Sequence, residues 1–524
     1  MFHKTILSVE NLSVSFDNQE VVHSISFSVS ENQIVGIVGE SGSGKSISSL
    51  AITGLLPKKA KISGEIIFDN KKISSFTNKD WQQIRGKEIG FVFQEPMSSL
   101  NPTMKCGKQV AEVLALHTSL SKKEIKKEVL RLFERVKIDP ERSYQSYPHQ
   151  LSGGQKQRVM IAMAMACKPK LLIADEPTTA LDASVQEEII SLLKEIQQEN
   201  KMAVLFISHD LALVSKISDQ IIVMYQGDIV EKGDTATIFH SPKHLYTKAL
   251  LSSRPKAEER LRRLPTIYDF VNQSFTKEII LEEEKQQRLN KIYEKEPILS
   301  IENLNKEYFL NSSFFYKRKT IKVLQNFSLQ IYEGETIGLI GASGSGKTTL
   351  GRAIVQLEKA TSGRIIYKGQ NINQLNNREL QKIRKDIQFI FQDPYSSLNP
   401  IKKVGEAILE PMQVHQLYAN YNQRKQKVIE ILERVGLKAS DFDKYPNEFS
   451  GGQRQRIGIA RALVLQPKII ICDEVVSALD ISAQAQALNL LNDLKETFQL
   501  TYIFISHDKE VVDYMSDRKI YLET

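Results

Sequence analysis

Gly39-Glu40-Ser41-Gly42-Ser43-Gly44-Lys45-Ser46 returns 302 residues later as Gly341-Ala342-Ser343-Gly344-Ser345-Gly346-Lys347-Thr348. Both stretches fit G-x-x-x-x-G-K-[ST], a loop whose backbone N–H groups cradle nucleotide phosphates. The first loop ends a continuous apolar run, Gln33-Ile34-Val35-Gly36-Ile37-Val38, which reads as a buried parallel strand feeding a helix. The amino terminus of that helix completes an anion site. In this arrangement Lys45 and Lys347 neutralise the β- and γ-phosphates, while Ser46 and Thr348 ligate Mg²⁺. A repeat of this length marks a duplicated domain, because solenoid units recur every ~20–50 residues.

Around the first loop the pattern is strand then helix. Leu171-Leu172-Ile173-Ala174 and Ala203-Val204-Leu205-Phe206-Ile207 are further buried strands, and residues 184–198 read as a helix between them. Such alternation predicts an α/β sheet covered on both faces. Residues from about Pro96 to Gln150 read as mostly helical, an insertion into that sheet. The same order restarts at Ile298. Between Arg254 and Glu296 charge dominates, which predicts an extended tail and linker. The copies end differently: the first continues past His209 through the strand-like Ile221-Ile222-Val223-Met224-Tyr225, whereas 17 residues follow His507.

Composition sets outer bounds. The 524 residues are 41% apolar and 25% charged, as expected of globular domains. A net charge of +8 is modest for 132 charged side chains and predicts a solvated surface rather than a nucleic-acid face. Cys106, Cys167 and Cys472 are far apart and show no C-x-x-C, so they support neither a disulfide framework nor a metal cluster. The start, Met1-Phe2-His3-Lys4, leads into a strand without a signal-peptide core. With no run of 18 apolar residues, the expectation is a cytosolic protein that meets a membrane only through partners.

Two more motifs repeat. Apolar runs end in Asp175-Glu176 and Asp473-Glu474. A carboxylate at a strand end can hold Mg²⁺, and its neighbour can act as general base toward water. Leu151-Ser152-Gly153-Gly154-Gln155 recurs as Phe449-Ser450-Gly451-Gly452-Gln453, with the serine 24 residues before the glutamate in both copies. Each precedes a helix, where a capping serine and glycine N–H groups make a second anion site.

Taken together these residues resemble the nucleotide-binding domain of ATP-binding cassette (ABC) proteins over nearly the whole chain. The resemblance implies two tandem P-loop NTPase domains, each with a RecA-like core and an inserted helical subdomain, that bind ATP and Mg²⁺. It implies that Gln94 and Gln392 contact Mg²⁺ and couple to a partner. It implies that His209 and His507, each in Phe-Ile-Ser-His-Asp, contact the γ-phosphate, and that Phe16 and Tyr308 stack on adenine. In the family two such domains meet head to tail. Carried over, one site joins Lys45, Ser46, Gln94, Asp175, Glu176 and His209 to Ser450, Gly451, Gly452 and Gln453. The other joins Lys347, Thr348, Gln392, Asp473, Glu474 and His507 to Ser152, Gly153, Gly154 and Gln155. Neither set lacks a catalytic residue, so both sites are expected to hydrolyse ATP.

The wording of Gln94-Glu95-Pro96-Met97-Ser98-Ser99-Leu100-Asn101-Pro102 and Gln392-Asp393-Pro394-Tyr395-Ser396-Ser397-Leu398-Asn399-Pro400 resembles dipeptide, oligopeptide and nickel importer ATPases. His240-Ser241-Pro242-Lys243-His244-Leu245-Tyr246-Thr247-Lys248-Ala249-Leu250-Leu251 is similar to their C-terminal extension; His240 and His244 read there as loop polarity rather than metal ligands. The chain thus resembles two subunits fused, as in glutathione- and peptide-import ATPases. The expected domains are 1–252, a first cassette with the start of the extension; 253–296, extension and charged linker; and 297–524, a shortened second cassette. The resemblance implies two permease subunits and an extracellular solute-binding protein as partners, no nucleic acid, and a place on the cytoplasmic face of the cell membrane. Peptides, glutathione among them, are the expected cargo, with nickel or a metal chelate as the alternative. Val475 stands where the family usually has proline, which loosens the turn after Glu474. The extension has no cysteines, so the iron–sulfur cluster of some relatives is not expected. A ribosome-associated twin-cassette factor is the competing reading. Such factors carry His-Leu-Asp after the acidic pair, where this chain has Ala180-Leu181-Asp182 and Ala478-Leu479-Asp480. A DNA-repair ATPase would call for zinc cysteines that the sequence lacks.

Overall fold

The computed structural model describes residues 4–522 apart from 180, 182, 256–259, 273–274, 311–318, 343, 394–396 and 478. Contacts divide the chain into two units: unit 1 is Met1–Ser252 with Ile267–Gln273, and unit 2 is Ser253–Thr266 with Ser274–Thr524.

Unit 1 is built on a six-stranded sheet. Its order is Asp228–Asp234, Gln220–Tyr225, Ile34–Val38, Ala203–Ser208, Leu171–Asp175 and Ile89–Val92, parallel except for the antiparallel first edge. Ile34–Val38, Leu171–Asp175 and Ala203–Ser208 are buried at every residue, which is why they read as unbroken apolar runs. A separate antiparallel sheet places Thr5–Phe16 between Gln19–Ser30 and Lys61–Phe68. From Pro96 to Gln150 the chain is mostly helical, as the sequence predicts.

Unit 2 repeats both sheets. Its parallel sheet runs Ile387–Ile390, Ile469–Asp473, Thr501–Ile505, Thr336–Ile340 and Arg518–Tyr521. Its antiparallel sheet places Leu299–Leu310 between Lys319–Ile331 and Ser362–Tyr367. Among the described residues this parallel sheet has five strands; Arg518–Tyr521 takes the place that Gln220–Tyr225 holds in unit 1, without an antiparallel neighbour. Val475 is 2% exposed and joins the apolar core of unit 2.

The described residues of the segment whose charge predicts an extended tail and linker are packed against unit 2 at several points. Leu264 is 1% exposed within the core of unit 2, and the Asn489 side-chain amide bonds both its N–H (2.9 Å) and its carbonyl (2.8 Å). The helix Glu282–Tyr293 buries Leu289, and Tyr293 donates to Glu335 at 2.9 Å. Asp517, with its side chain fully buried, gathers Arg288, Lys495 (3.2 Å) and the Thr336 N–H (2.9 Å). Of these partners Arg288 comes from the charged segment. Part of its charge thus goes into specific pairs, Arg288 with Asp517 and Arg262 with Glu284.

Candidate functional site

In each unit the phosphate loop closes the parallel strand and opens a helix, Lys45–Ile52 or Lys347–Ile354. Gly42, Gly44, Gly344 and Gly346 have φ between 83° and 96°, a conformation that side-chain-bearing residues resist. At Gly39 a Cβ would fall 2.2 Å from the Met224 carbonyl oxygen, so the loop entrance also needs glycine. Lys45 Nζ donates to the carbonyls of Gly39 (2.8 Å) and Glu40 (2.7 Å); Lys347 Nζ donates to those of Gly341 (2.7 Å) and Ala342 (2.9 Å). Both ammonium groups are thereby folded over the loop that the sequence assigns to phosphate. Ser345 adds a buried hydroxyl with no hydrogen-bond partner, an oxygen available to a phosphate. Ser41 and Ser43 lie in the first loop; Ser343, their partner motif's third residue, lies outside the described residues.

The acidic pairs sit where their strands end. Ser46 Oγ donates to Asp175 at 3.0 Å and Thr348 Oγ1 to Asp473 at 3.0 Å. Burial pushes both aspartates up to about 6, against the hydroxyl bonds that lower them, and the neighbouring glutamate charge adds to the rise. These are oxygen donors in a site that penalises an uncompensated carboxylate, which fits a hard divalent cation.

Glu176 and Glu474 both occupy the left-handed region (φ 46° and 48°), and each N–H is held by the next strand, Glu176 to Ile207 and Glu474 to Ile505, at 2.9 Å. This turn swings the carboxylate out of the strand toward the side chains around it. Gln94 Nε2 donates to Glu176 at 3.1 Å, Thr179 Oγ1 at 2.8 Å, and His209 Nδ1 lies 3.1 Å away. Burial raises the Glu176 carboxyl, but the hydrogen bond and charge of His209, with Thr179, bring it down to about 2. Adjacent carboxyls thus sit on opposite sides of the ordinary range. In unit 2, Gln392 Nε2 donates to Glu474 at 2.7 Å and His507 Nδ1 stands 3.5 Å from it. Its pKa is raised by the Glu474 bond; that of His209 is raised by Glu176 in the face of desolvation. Thr179 escaped the sequence reading, its only signal being its place three residues after Glu176. The unit 2 counterpart, Ser477, donates to the Glu474 backbone carbonyl at 2.9 Å instead.

Ser152 and Ser450 cap the helices Gly153–Met165 and Gly451–Leu463. The N–H of Gln155 or Gln453 donates to the serine hydroxyl at 3.3 Å, and the serine N–H donates back to the glutamine Oε1. Gly154 is packed, since a Cβ there would meet Val185 at 2.8 Å. A Cβ on Gly451 meets nothing within 4 Å, and one on Gly452 would make only ordinary contact with Ala483 at 3.6 Å. Phe16 ends its strand half-buried against the core. Tyr308 is 37% exposed, with its hydroxyl bonded to Glu358 and Lys306 Nζ 4.8 Å from its ring centroid.

The ABC transporter family model matches residues 22–179 and 324–477, and the model for the oligopeptide/dipeptide transporter C-terminal region matches 230–274. The glutathione import ATP-binding protein GsiA of Escherichia coli (strain K12) is 43% identical over 539 residues, covering 98% of this chain and 84% of that protein. The protein of the same name from Shigella boydii serotype 4 is also 43% identical, over 535 residues. Among solved structures the RNase-L inhibitor matches with a TM-score of 0.59 at 21% identity, over 98% of this chain and 87% of that one, a likeness of fold alone. The chain belongs to the ABC transporter family, as a protein with two ATP-binding cassettes and a region of the oligopeptide/dipeptide transporter type.

Proposed function

We propose that this chain is the ATP-hydrolysing subunit of an importer for glutathione or other short peptides, with both cassettes catalytic. The observation that carries the catalytic part is the repeated cluster: each glutamate after the strand is bonded by a glutamine and faced by a histidine within 3.5 Å. In this reading Glu176 and Glu474 accept the proton of the attacking water. His209 and His507 hold the γ-phosphate, and Lys45 and Lys347 leave their loop carbonyls to meet the β- and γ-phosphates. Ser46, Gln94 and Asp175, with Thr348, Gln392 and Asp473, would hold Mg²⁺. When bound, Mg²⁺ supplies charge neutralisation on the phosphates.

The head-to-tail pairing of sites belongs to the same proposal. In a helix interior glycine costs up to about 1 kcal/mol against alanine. Among the described residues nothing lies within 4 Å of a Cβ at Gly451, which leaves room there for the close approach of a nucleotide. ATP then draws Ser450 or Ser152 toward the γ-phosphate only when the cassettes are closed, and hydrolysis releases them. Phe16 and Tyr308 are assigned to the adenine face.

Two permeases are the proposed route for movement, which would place the chain at the cytoplasmic face of the membrane. No helix of the described residues is long and apolar enough to cross a membrane. A cavity of about 460 Å³ in unit 2 is lined by Leu357, Phe391, Val414 and Gln455. The Gln455 amide nitrogen is buried there without a partner, as is that of Gln157 at the same place in unit 1. A groove with exposed apolar rims and an unspent donor suits a docked helix end. An extracellular solute-binding protein would select the cargo. Uptake of labelled glutathione and of labelled dipeptides by a deletion strain, with and without the chain restored, tests the reading. Restoration of neither, with uptake of a nickel chelate instead, would replace the cargo.

A further inference from the structure

The two units surround the aromatic rings assigned to adenine with opposite chemistry. Tyr308 lies near the end of the strand Leu299–Leu310 and donates its hydroxyl to Glu358. Thr349 Oγ1 stands 3.5 Å from the same hydroxyl, and Thr349 belongs to the helix Lys347–Ile354, which the phosphate-loop lysine opens. Glu358, beyond the end of that helix, also takes Arg352 Nη1 at 3.2 Å. Lys306 Nζ lies 4.0 Å from Glu358 and, over one face of the Tyr308 ring, 4.8 Å from its centroid. Burial and the facing Glu358 carboxylate raise the Tyr308 hydroxyl above its ordinary value, so it remains a donor.

In unit 1 the places of Tyr308, Thr349, Arg352 and Glu358 are held by Phe16, Ile47, Leu50 and Leu56. Phe16, Ile47 and Leu56 are partly buried and pack against the apolar core. The ring of the first unit is thus set by contact, and that of the second by a hydrogen bond to a carboxylate, which is strong and directional. Tyr308 is 37% exposed, so the bond at its far end limits a swing that packing leaves open. Bases of every type stack on an aromatic face, so the protein's control lies in where the face is held. Lys306 covers one face of Tyr308, which leaves the other to a base.

We propose that Glu358 is the positioning residue of the base platform in the second site, so that nucleoside binding there depends on the Tyr308–Glu358 hydrogen bond, whereas at the first site it depends on the apolar packing of Phe16. The proposal rests on the ATPase reading above and on its assignment of Tyr308 to adenine. Anchoring the hydroxyl fixes the ring before the base arrives, which removes part of the ordering cost of binding. Because Thr349 and Arg352 lie on the helix that begins at Lys347, the anchor also holds the ring in register with the phosphate loop.

The test is equilibrium binding of ATP and of inorganic tripolyphosphate, each with Mg²⁺, to the full chain carrying Lys45→Ala, which leaves the second site to be read. Glu358→Ala is expected to weaken ATP at least about fivefold and to leave tripolyphosphate within about twofold, because only ATP has a base to stack. Tyr308→Phe keeps the ring, loses the bond and shows the same loss; adding Glu358→Ala to it costs nothing further, since both remove one interaction. Glu358→Gln keeps an oxygen that accepts from the hydroxyl and retains ATP within about twofold. In a chain carrying Lys347→Ala instead, where the first site is read, Glu358→Ala leaves ATP binding unchanged. Thermal melting checks that each variant folds, and Tyr308→Phe carries the test where Glu358→Ala does not. Unchanged ATP binding in both single variants, equal weakening of tripolyphosphate, or a loss in Glu358→Gln as large as in Glu358→Ala would each overturn the positioning role. An unmodified chain that binds ATP no more tightly than tripolyphosphate would remove adenine from Tyr308, and one that binds neither would overturn the functional reading itself.

Discussion

His209 Nδ1 stands 3.1 Å from Glu176, whereas His507 Nδ1 stands 3.5 Å from Glu474. Both contacts place a cation-forming ring against the carboxylate assigned as base. Replacing either glutamate removes the proton acceptor while keeping a group that Gln94 or Gln392 can still bond. Glu176→Gln and Glu474→Gln are each expected to trap bound ATP and to cut turnover at least about tenfold. Retention of labelled nucleotide on a filter, with phosphate release, measures both. Full ATPase activity in Glu474→Gln would make the second site non-catalytic.

Gly451 offers a separation of stability from activity. Among the described residues its missing Cβ would meet nothing within 4 Å, so Gly451→Ala should raise the melting stability of unit 2 by up to about 1 kcal/mol. If a nucleotide approaches this helix start, the same change slows ATP turnover. A variant that is both more stable and fully active would remove the assignment of Gly451 to a phosphate.

The phosphate loops, acidic pairs and capped glycine helices were legible because phosphate chemistry fixes residue type and spacing together. Lys45 must follow its glycines, and Glu176 must close a strand. The parallel sheets were legible for a related reason: strands buried on both faces leave apolar runs such as Ile34–Val38. The described residues between 254 and 296 hid their structure because the same charged composition describes a solvated linker and a set of specific ion pairs. Nothing in sequence separates Arg260, which reaches the Ser516 carbonyl, from Arg263, which is mostly exposed. Tyr246 was quoted as part of the extension, yet its bond to Glu40 spans 206 residues and has no local signal. Tyr308, assigned to adenine by position, has a hydroxyl already bonded to Glu358 that sequence could not reveal.

Leu264 turns the packed segment into a measurable claim about unit 2. Truncating it to alanine empties a site 1% exposed, and its backbone depends on Asn489 for both hydrogen bonds. Leu264→Ala is expected to destabilise unit 2 by about 2–4 kcal/mol. Asn489→Ala strips two buried backbone groups of their partner and should cost about 1–3 kcal/mol. Calorimetry of the full chain should show one transition lowered and the other in place. A melting profile identical to that of the unmodified chain in both variants would mean that residues 253–266 carry no part of the fold.

Asp517 gives the pH dependence of that unit. Burial alone would raise its carboxyl, but the charges of Lys495 and Arg288, the Arg288 hydrogen bond and the Thr336 N–H bring it down from 3.8 to about 2. A carboxyl depressed on folding contributes stability that is complete above its unfolded value and is lost as pH falls through its folded value. The window therefore lies between pH 4 and pH 2, and the contribution is about 2 kcal/mol. At neutral pH, Asp517→Asn leaves Arg288 and Lys495 facing a neutral amide and should lower the stability of unit 2 by about 3–5 kcal/mol. The unmodified chain should then lose more stability between pH 4 and pH 2 than the variant, because only its aspartate has a proton to gain. Denaturant unfolding at several pH values reads that difference directly, and parallel curves for the two proteins would show that the cluster around Asp517 does not hold its carboxylate.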